Sequence, residues 1–463
     1  MKVLMLGWEY PPHIAGGLGT ACEGLSRALA DQHVGLTFVV PRVFGDEPAS
    51  HMNLIGASQV KLAARTPSAP APREGAARPA SMVGTQAVEW LDEGIHTLAI
   101  DSLLSPYDRP QTYQQRFGRY VTVNSLRIEP GVAAPATDGQ PARAAETAAQ
   151  ATPPGHYAGD LYSEVTRYAH VVGQLAAHTP HEVIHAHDWM TYPAALEARR
   201  VSGKPVVLHV HSLEYDRSGE HVNEAINRLE RAGLRAADRI VAVSHYTKSL
   251  VTRMHGVDAA KISVVHNGVT RSEGLQQYHL PEDREHKTVL FMGRITFQKG
   301  PEYFVRAAQK VLGRINNVRF VMAGSGDMVE PMKQLVRQLK LDAAFEFPGF
   351  LRGTERERYF TLADVYVMPS VSEPFGITPL EAMAYDVPVI ISRQSGVSEV
   401  LRHALKVDFW DVDKMADLLM ALLRHDALGQ EMSRMAQKEL LQLHWRAAAL
   451  KLIEVYRQLA KAA

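Results

Sequence analysis

Two carboxylates bracket a turn in the segment PSVSEPFGITPLEAMAYDVPVIIS: Glu373 precedes Pro374-Phe375-Gly376, and Glu381 follows on a helical pattern. Carboxylates accept hydrogen bonds from hydroxyl groups, and unbonded amides at a helix start attract phosphate. If the helix begins near Phe375 to Ile377, those amides point at a ligand and Glu381 lies about one turn inside. The combination suits a ligand that is both anionic and rich in hydroxyls, as a nucleotide sugar is. A plain helix cap with an exposed acid accounts for one glutamate but leaves the other and the turn unexplained.

Three further stretches carry compatible chemistry. FMGRITFQKG ends an apolar run at Gly293 and then presents Arg294 and Lys299, two cations able to neutralise a diphosphate, the arginine in bidentate fashion. PPHIAGGLGT puts Gly16, Gly17 and Gly19 between a strand and a helix, where backbone can approach phosphate without a side chain intervening; a tight turn with no ligand has the same composition. HVHSLEYDRSGE places His209 and His211 on one face of a strand end, with Glu214 and Asp216 just beyond. HAHDW repeats the spacing with His185, His187, Asp188 and Trp189. Such clusters can bind a metal, bind sugar or phosphate, or simply be hydrogen-bonded histidines. No helical ligand pair or thiolate supports a metal, and none is expected.

The elements that hold these residues alternate. KVLML, LTFVV, EVIHAH, PVVLHVH, RIVAVS and ISVVHNGV read as buried strands separated by helices, including long ones at 162–177 and 220–236. A second series follows with TVLFMGRI, VRFVMAGSG, FEFPGF, DVYVMPS and VPVIIS. Strands alternating with helices imply parallel sheets. The fold class is therefore α/β, with two doubly wound parallel-sheet domains facing a cleft, whose ligands sit at the carboxyl ends of the strands. The polar stretch from Arg271 to Lys287 separates them, giving domains over 1–270 and 271–463. Two Ala/Pro-rich stretches near 62–82 and 131–155 hold almost no large apolar residues and read as surface insertions or disordered loops. The tail from Met432 to Lys461 is a helix pair or one kinked helix, its last part expected to pack back on the first domain.

Composition narrows the function classes. Fifty basic residues balance fifty acidic ones over 463 residues, so no overall field favours nucleic acid or an acidic membrane surface. Any anion is bound locally. The single cysteine, Cys22, excludes an internal disulfide and reads as a small buried side chain in a helix. No run of apolar residues is long enough to span a membrane, and a soluble cytoplasmic protein is expected.

Taken together, the run from Glu373 to Glu381 matches the E-x7-E signature, and with GRITFQKG, HNGV, GGLG and HAHDW in order the chain resembles the retaining GT-B glycosyltransferases of family 4, the glycogen and starch synthase-like group. The resemblance implies a donor held by the second domain and an acceptor held by the first. It gives Arg294 and Lys299 the donor diphosphate, Glu381 the ribose and Glu373 the transferred sugar, whose hydroxyls also meet the amides of Phe375, Gly376 and Ile377. His211 matches the family's active-site histidine, Gly17 the loop near the phosphates, and Phe350 with Leu351 the segment around the nucleobase. Ile14 stands where bacterial glycogen and starch synthases have a lysine, whereas Glu381 is kept as in the broader family.

The implied activity is retaining transfer of a hexose, glucose foremost, from a nucleotide sugar to an α-glucan or oligosaccharide. No cofactor is expected, the nucleotide sugar being a substrate, and no nucleic acid partner or membrane span. Alternatives are a small or lipid-linked acceptor, as in envelope polysaccharide synthesis, nucleotide-sugar epimerisation, and a non-catalytic glycan-binding protein.

Overall fold

The computed structural model describes residues 1–13, 17–59, 161–270 and 286–462. Two all-parallel sheets organise them. The first comprises β1 (Lys2–Leu6), β2 (Gly35–Val40), β3 (Asn53–Gly56), β4 (Val183–His187), β5 (Val206–Val210), β6 (Arg239–Ala242) and β7 (Ile262–Val264), in the order β3-β2-β1-β4-β5-β6-β7. The second comprises β8 (Lys287–Met292), β9 (Val318–Ala323), β10 (Phe345–Gly349), β11 (Val365–Met368), β12 (Val389–Ser392) and β13 (Leu405–Val407), in the order β10-β9-β8-β11-β12-β13. In both sheets the order of strand addition reverses beside the first strand, at β1/β4 and at β8/β11. Crevices at such switch points are where doubly wound sheets bind ligands.

Strand residues alternate between two apolar layers, which is why the strands read as continuous apolar runs. Leu4 and Leu6 face one core of the first sheet, and Val3 and Met5 the other. Leu290 and Met292 face one core of the second, and Val289 and Phe291 the other.

Three details differ from the sequence reading. Each sheet gains one short edge strand, β3 and β13, that the apolar pattern did not announce. The helix expected over 220–236 runs Glu224–Ala236, because the Asn223 side chain accepts from the amides of Ala225 and Ile226 and so fixes its start. A separate short helix, Glu214–Ser218, ends at Gly219, whose φ of 59° only glycine adopts easily.

The tail forms two helices, Asp426–Leu440 and Trp445–Ala462. The second shares the core of the first sheet, where Trp445 lies against the helix Gly17–Asp31 so closely that a Cβ on Gly24 would sit 2.2 Å from the indole. The stretches near 62–82 and 131–155 lie outside the described residues, as do Ile14, Gly16 and most of the 271–287 segment. No helix among the described residues is long and apolar enough to cross a membrane.

Candidate active site

Strand ends from both sheets deliver the expected residues to one cavity of about 400 Å³. From the first sheet come Gly17, at the helix start after β1, and His211, just past β5. From the second come Arg294 and Lys299 after β8, Phe350 and Leu351 after β10, and Glu373 after β11. Phe375, Gly376, Ile377 and Glu381 complete the lining. The residues given a role by the resemblance thus face the same space, whereas Gly19, His185, His187, Asp188, Trp189, His209, Glu214 and Asp216 are not in its lining and Gly16 lies outside the described residues.

Glu373 is buried and fixed through both side chain and backbone. Lys299 Nζ donates to Glu373 Oε2 at 2.5 Å, and Ser370 Oγ donates to the same oxygen at 3.1 Å. Its amide donates to the Gln394 carbonyl and its carbonyl accepts from Gly396, each at 2.9 Å, so it forms a one-residue bridge to the next loop. Gly376 has φ 96°, and a Cβ there would press within 3.1 Å of both the Glu373 side chain and the Met368 sulfur. The turn therefore requires glycine. Within the described residues the amides of Phe375, Gly376 and Ile377 take part in no hydrogen bond, and the helix that follows spans Thr378–Ala384.

Glu381 lies one turn into that helix and pairs with Arg356, a cavity residue from the helix Gly353–Leu362. Arg294 donates through Nη2 to Gln298 Oε1 at 3.1 Å. Phe350 is 47% exposed, with the Arg352 guanidinium 5.1 Å over its ring. The cation covers one face of the ring, and the exposed remainder is apolar surface available to a planar group.

On the opposite wall His211 is placed by Asp188. The Asp188 carboxylate accepts from the amides of His211 at 2.7 Å and Ser212 at 3.2 Å. Asp188 does so from φ 60° and ψ 168°, a conformation costly for any residue but glycine and sustained only by its surroundings. Burial pushes its carboxyl up to about 7. Behind it Arg217 is buried between Glu214 and Glu230, 3.0 Å from each. Burial also lowers the four nearby histidines: His185 and His211 to about 3, and His187 and His209 well below the usual imidazole value.

The two walls are stitched together next to Glu373. Ser372 Oγ donates to Asp216 Oδ1 at 2.5 Å and lies 2.8 Å from the Tyr246 hydroxyl. On the other side the Pro374 carbonyl accepts from Ser244 at 2.6 Å and Thr247 at 3.2 Å. The residues before and after Glu373 are thus held by the first sheet's helices.

Sequence reasoning missed two cavity-lining residues, Asn267 and Arg356, and the role of a third residue behind the wall, Asp188. Asn267, from the HNGV motif, is buried against the cavity. Arg356 was hidden in the charged run TERER, which has the composition of a solvated helix face. Asp188 was grouped with the histidines, because a backbone-holding role has no compositional signal.

Three family models match successive parts of the chain: starch synthase catalytic domain over residues 2–129, glycosyltransferase family 4 over 123–273, and glycosyl transferases group 1 over 276–439. An uncharacterized glycosyltransferase of Methanocaldococcus jannaschii is 34% identical over 51% of this chain and 64% of its own, so the match spans under two thirds of that relative. A D-inositol 3-phosphate glycosyltransferase of an Arthrobacter species is 30% identical over 62% of this chain and 72% of its own. The glycogen synthase of Mycobacterium tuberculosis is 23% identical over 98% and 94%. Among solved structures, sucrose-phosphate synthase from Thermosynechococcus elongatus superimposes over 100% of both chains with a TM-score of 0.66 at 18% identity, a likeness of fold.

Proposed function

The chain belongs to the GT-B glycosyltransferases of family 4, the glycogen and starch synthase-like group, and from that premise we propose that it is a retaining hexosyltransferase moving glucose from a nucleotide sugar to an α-glucan or oligosaccharide. The observation that carries the reading is the convergence on one cavity of cations, turn amides and carboxylates from separate strand ends. Few ligands other than a sugar on a diphosphate would use all of them.

In this reading Arg294 and Lys299 hold the diphosphate, the Phe375–Ile377 amides and Glu373 the transferred sugar, and Glu381 the ribose. Phe350 and Leu351 flank the base, Gly17 lies near the phosphates, and His211 contacts the sugar. Cleavage of the bond between the anomeric carbon and the phosphate oxygen leaves its electron pair on the diphosphate, where fixed cations stabilise the developing charge. The acceptor hydroxyl adds to the same face of the sugar and gives its proton to the departing phosphate oxygen. Glu373, engaged by Lys299 and Ser370, is not assigned as a nucleophile. In this reading the nucleotide sugar is a substrate, no metal or other cofactor takes part, and transfer is cytoplasmic.

A second reading has a small acceptor. It is favoured by the D-inositol 3-phosphate glycosyltransferase of the Arthrobacter species, which matches 62% of this chain at 30% identity. One experiment tests both: labelled ADP-, UDP- and GDP-glucose are each offered with glycogen, malto-oligosaccharides, inositol phosphate or no acceptor. Label in α-linked glucan supports the first reading, and label in the small acceptor alone supports the second. A β-linked product would overturn retention, and donor binding without transfer to any acceptor would overturn the enzyme reading.

A further inference from the structure

The chemistry above uses only His211 of the two His-x-His repeats at the ends of β4 and β5. Alternate residues of a strand share a face, and the register sets His187 beside His209, so four imidazoles gather on one side of the sheet. They form two hydrogen-bonded pairs: His185 Nε2 lies 3.2 Å from His209 Nδ1, and His187 Nδ1 lies 2.9 Å from His211 Nε2. The pairs stack on each other, with centroids 4.4 Å apart for His185 and His187 and 4.2 Å for His209 and His211. Tyr456, from the final helix, closes the outer pair through its hydroxyl, 2.5 Å from His185 Nδ1. His211 is the member of this array that lines the cavity.

We propose that His187 is a positioning residue: by engaging Nε2 of His211 it fixes the ring and leaves Nδ1 as the nitrogen offered to the transferred sugar. This rests on the reading of His211 as a sugar contact. The nature of the partner matters as much as its place. A carboxylate at His187 would favour an imidazolium, whereas an imidazole buried among imidazoles leaves His211 uncharged near neutral pH. No added positive charge then faces an anomeric carbon that becomes oxocarbenium-like in the transition state. The other charged groups near His211 are Asp188, which takes its amide, Arg217 behind, and Arg294, Lys299 and Glu373 in the cavity wall. His187 Nε2 and His209 Nε2 have no partner. A metal shared by His185, His187 and His209 could use these two atoms but would have to displace Tyr456 or His209 from His185, whose two nitrogens are both engaged.

Three variants separate these roles. His187→Asn keeps a hydrogen-bonding group at the Nδ1 position and removes Nε2; His187→Leu keeps bulk alone; His187→Asp supplies a carboxylate. Histidine ¹⁵N shifts of His211, assigned against His211→Ala, are read with kcat, donor KM and metal content. The Asn variant is expected to keep kcat within about threefold and the Leu variant to lose about tenfold with KM little changed, the loss of one hydrogen bond. The Asp variant should turn His211 into an imidazolium and give activity that falls on acidification, and it reads the proposal even where Leu fails to fold. His211 shifts unmoved by both Asn and Asp, or stoichiometric metal that Asn removes, would overturn the proposal. Shifts that move as expected while His211→Ala keeps full kcat would support the positioning role and sink only the sugar-contact reading.

Discussion

Lys299 and Glu373 meet at 2.5 Å across the loops that follow β8 and β11, so the cation assigned to the diphosphate and the acid assigned to the sugar are one ion pair spanning the switch point of the second sheet. Each orients the other, and neither can be altered without moving its partner.

Removing Lys299 is therefore expected to hurt twice. Lys299→Ala should lower kcat by about 10²- to 10³-fold, the scale for losing a preorganised group aimed at developing charge. Arg294→Ala should act similarly while leaving Glu373 paired. A double-mutant cycle with Glu373→Ala divides the Lys299 effect, since a double variant no worse than Glu373→Ala alone would show that Lys299 works only by placing the acid. Transfer at parental rates in both cation variants would remove the diphosphate assignment.

The pairing of Glu381 with Arg356 predicts a different signature. Glu381→Gln keeps the shape but weakens acceptance from ribose hydroxyls, and Arg356→Ala leaves the carboxylate mobile. Both should raise donor KM by about tenfold with kcat within about threefold, the pattern of lost ground-state binding. An unchanged KM in Glu381→Gln would exclude ribose contact.

Most of this site was legible because a parallel sheet buries its strands on both faces and puts its ligand residues at their ends. The apolar runs that became β1, β8 and β11 located Gly17, Arg294 and Glu373 without any geometry. The edge strands were not legible: β3, Asn-Leu-Ile-Gly, and β13, Leu-Lys-Val, are short and only partly buried. Relations set by tertiary contact were hidden too. His-x-His spacing says that two rings share a face, but only the adjacency of β4 and β5 pairs His187 with His211. Nothing local marks Arg356 as the partner of Glu381, or gives Asp188 its positive φ.

Ser372 shows how the first sheet can govern a donor-side acid. Its hydroxyl satisfies Asp216 and Tyr246 from the opposite wall, immediately before Glu373. Ser372→Ala leaves Oδ1 of the buried Asp216 carboxyl without its Ser372 donor, Oδ2 keeping the Leu213 amide, and should cost about 1 to 3 kcal/mol of stability. It should also lower kcat by about tenfold through a looser Glu373 while donor affinity by calorimetry stays within about threefold. Ser372→Thr, which keeps the hydroxyl, should recover most of the rate. Equal kcat in the Ala and Thr variants would show that the clamp has no part in turnover.

Acid should destabilise the fold through the imidazole array. His185, His187, His209 and His211 stay neutral when folded, His185 and His211 down to about 3, whereas in the unfolded chain they protonate below about 6.5. Asp188 and Asp216 act in the opposite sense, because burial raises them to about 7 and about 6 and the folded chain holds their protons first. From about pH 6 to about pH 4 these groups leave the unfolded chain with about two more bound protons, four imidazoles against two carboxyls, and stability falls by up to about 3 kcal/mol per pH unit. Urea denaturation across that range measures the slope, and His187→Asn should reduce it by about one proton. Stability that stays level from neutrality to about pH 4 would mean that the histidines are not held neutral in the folded chain.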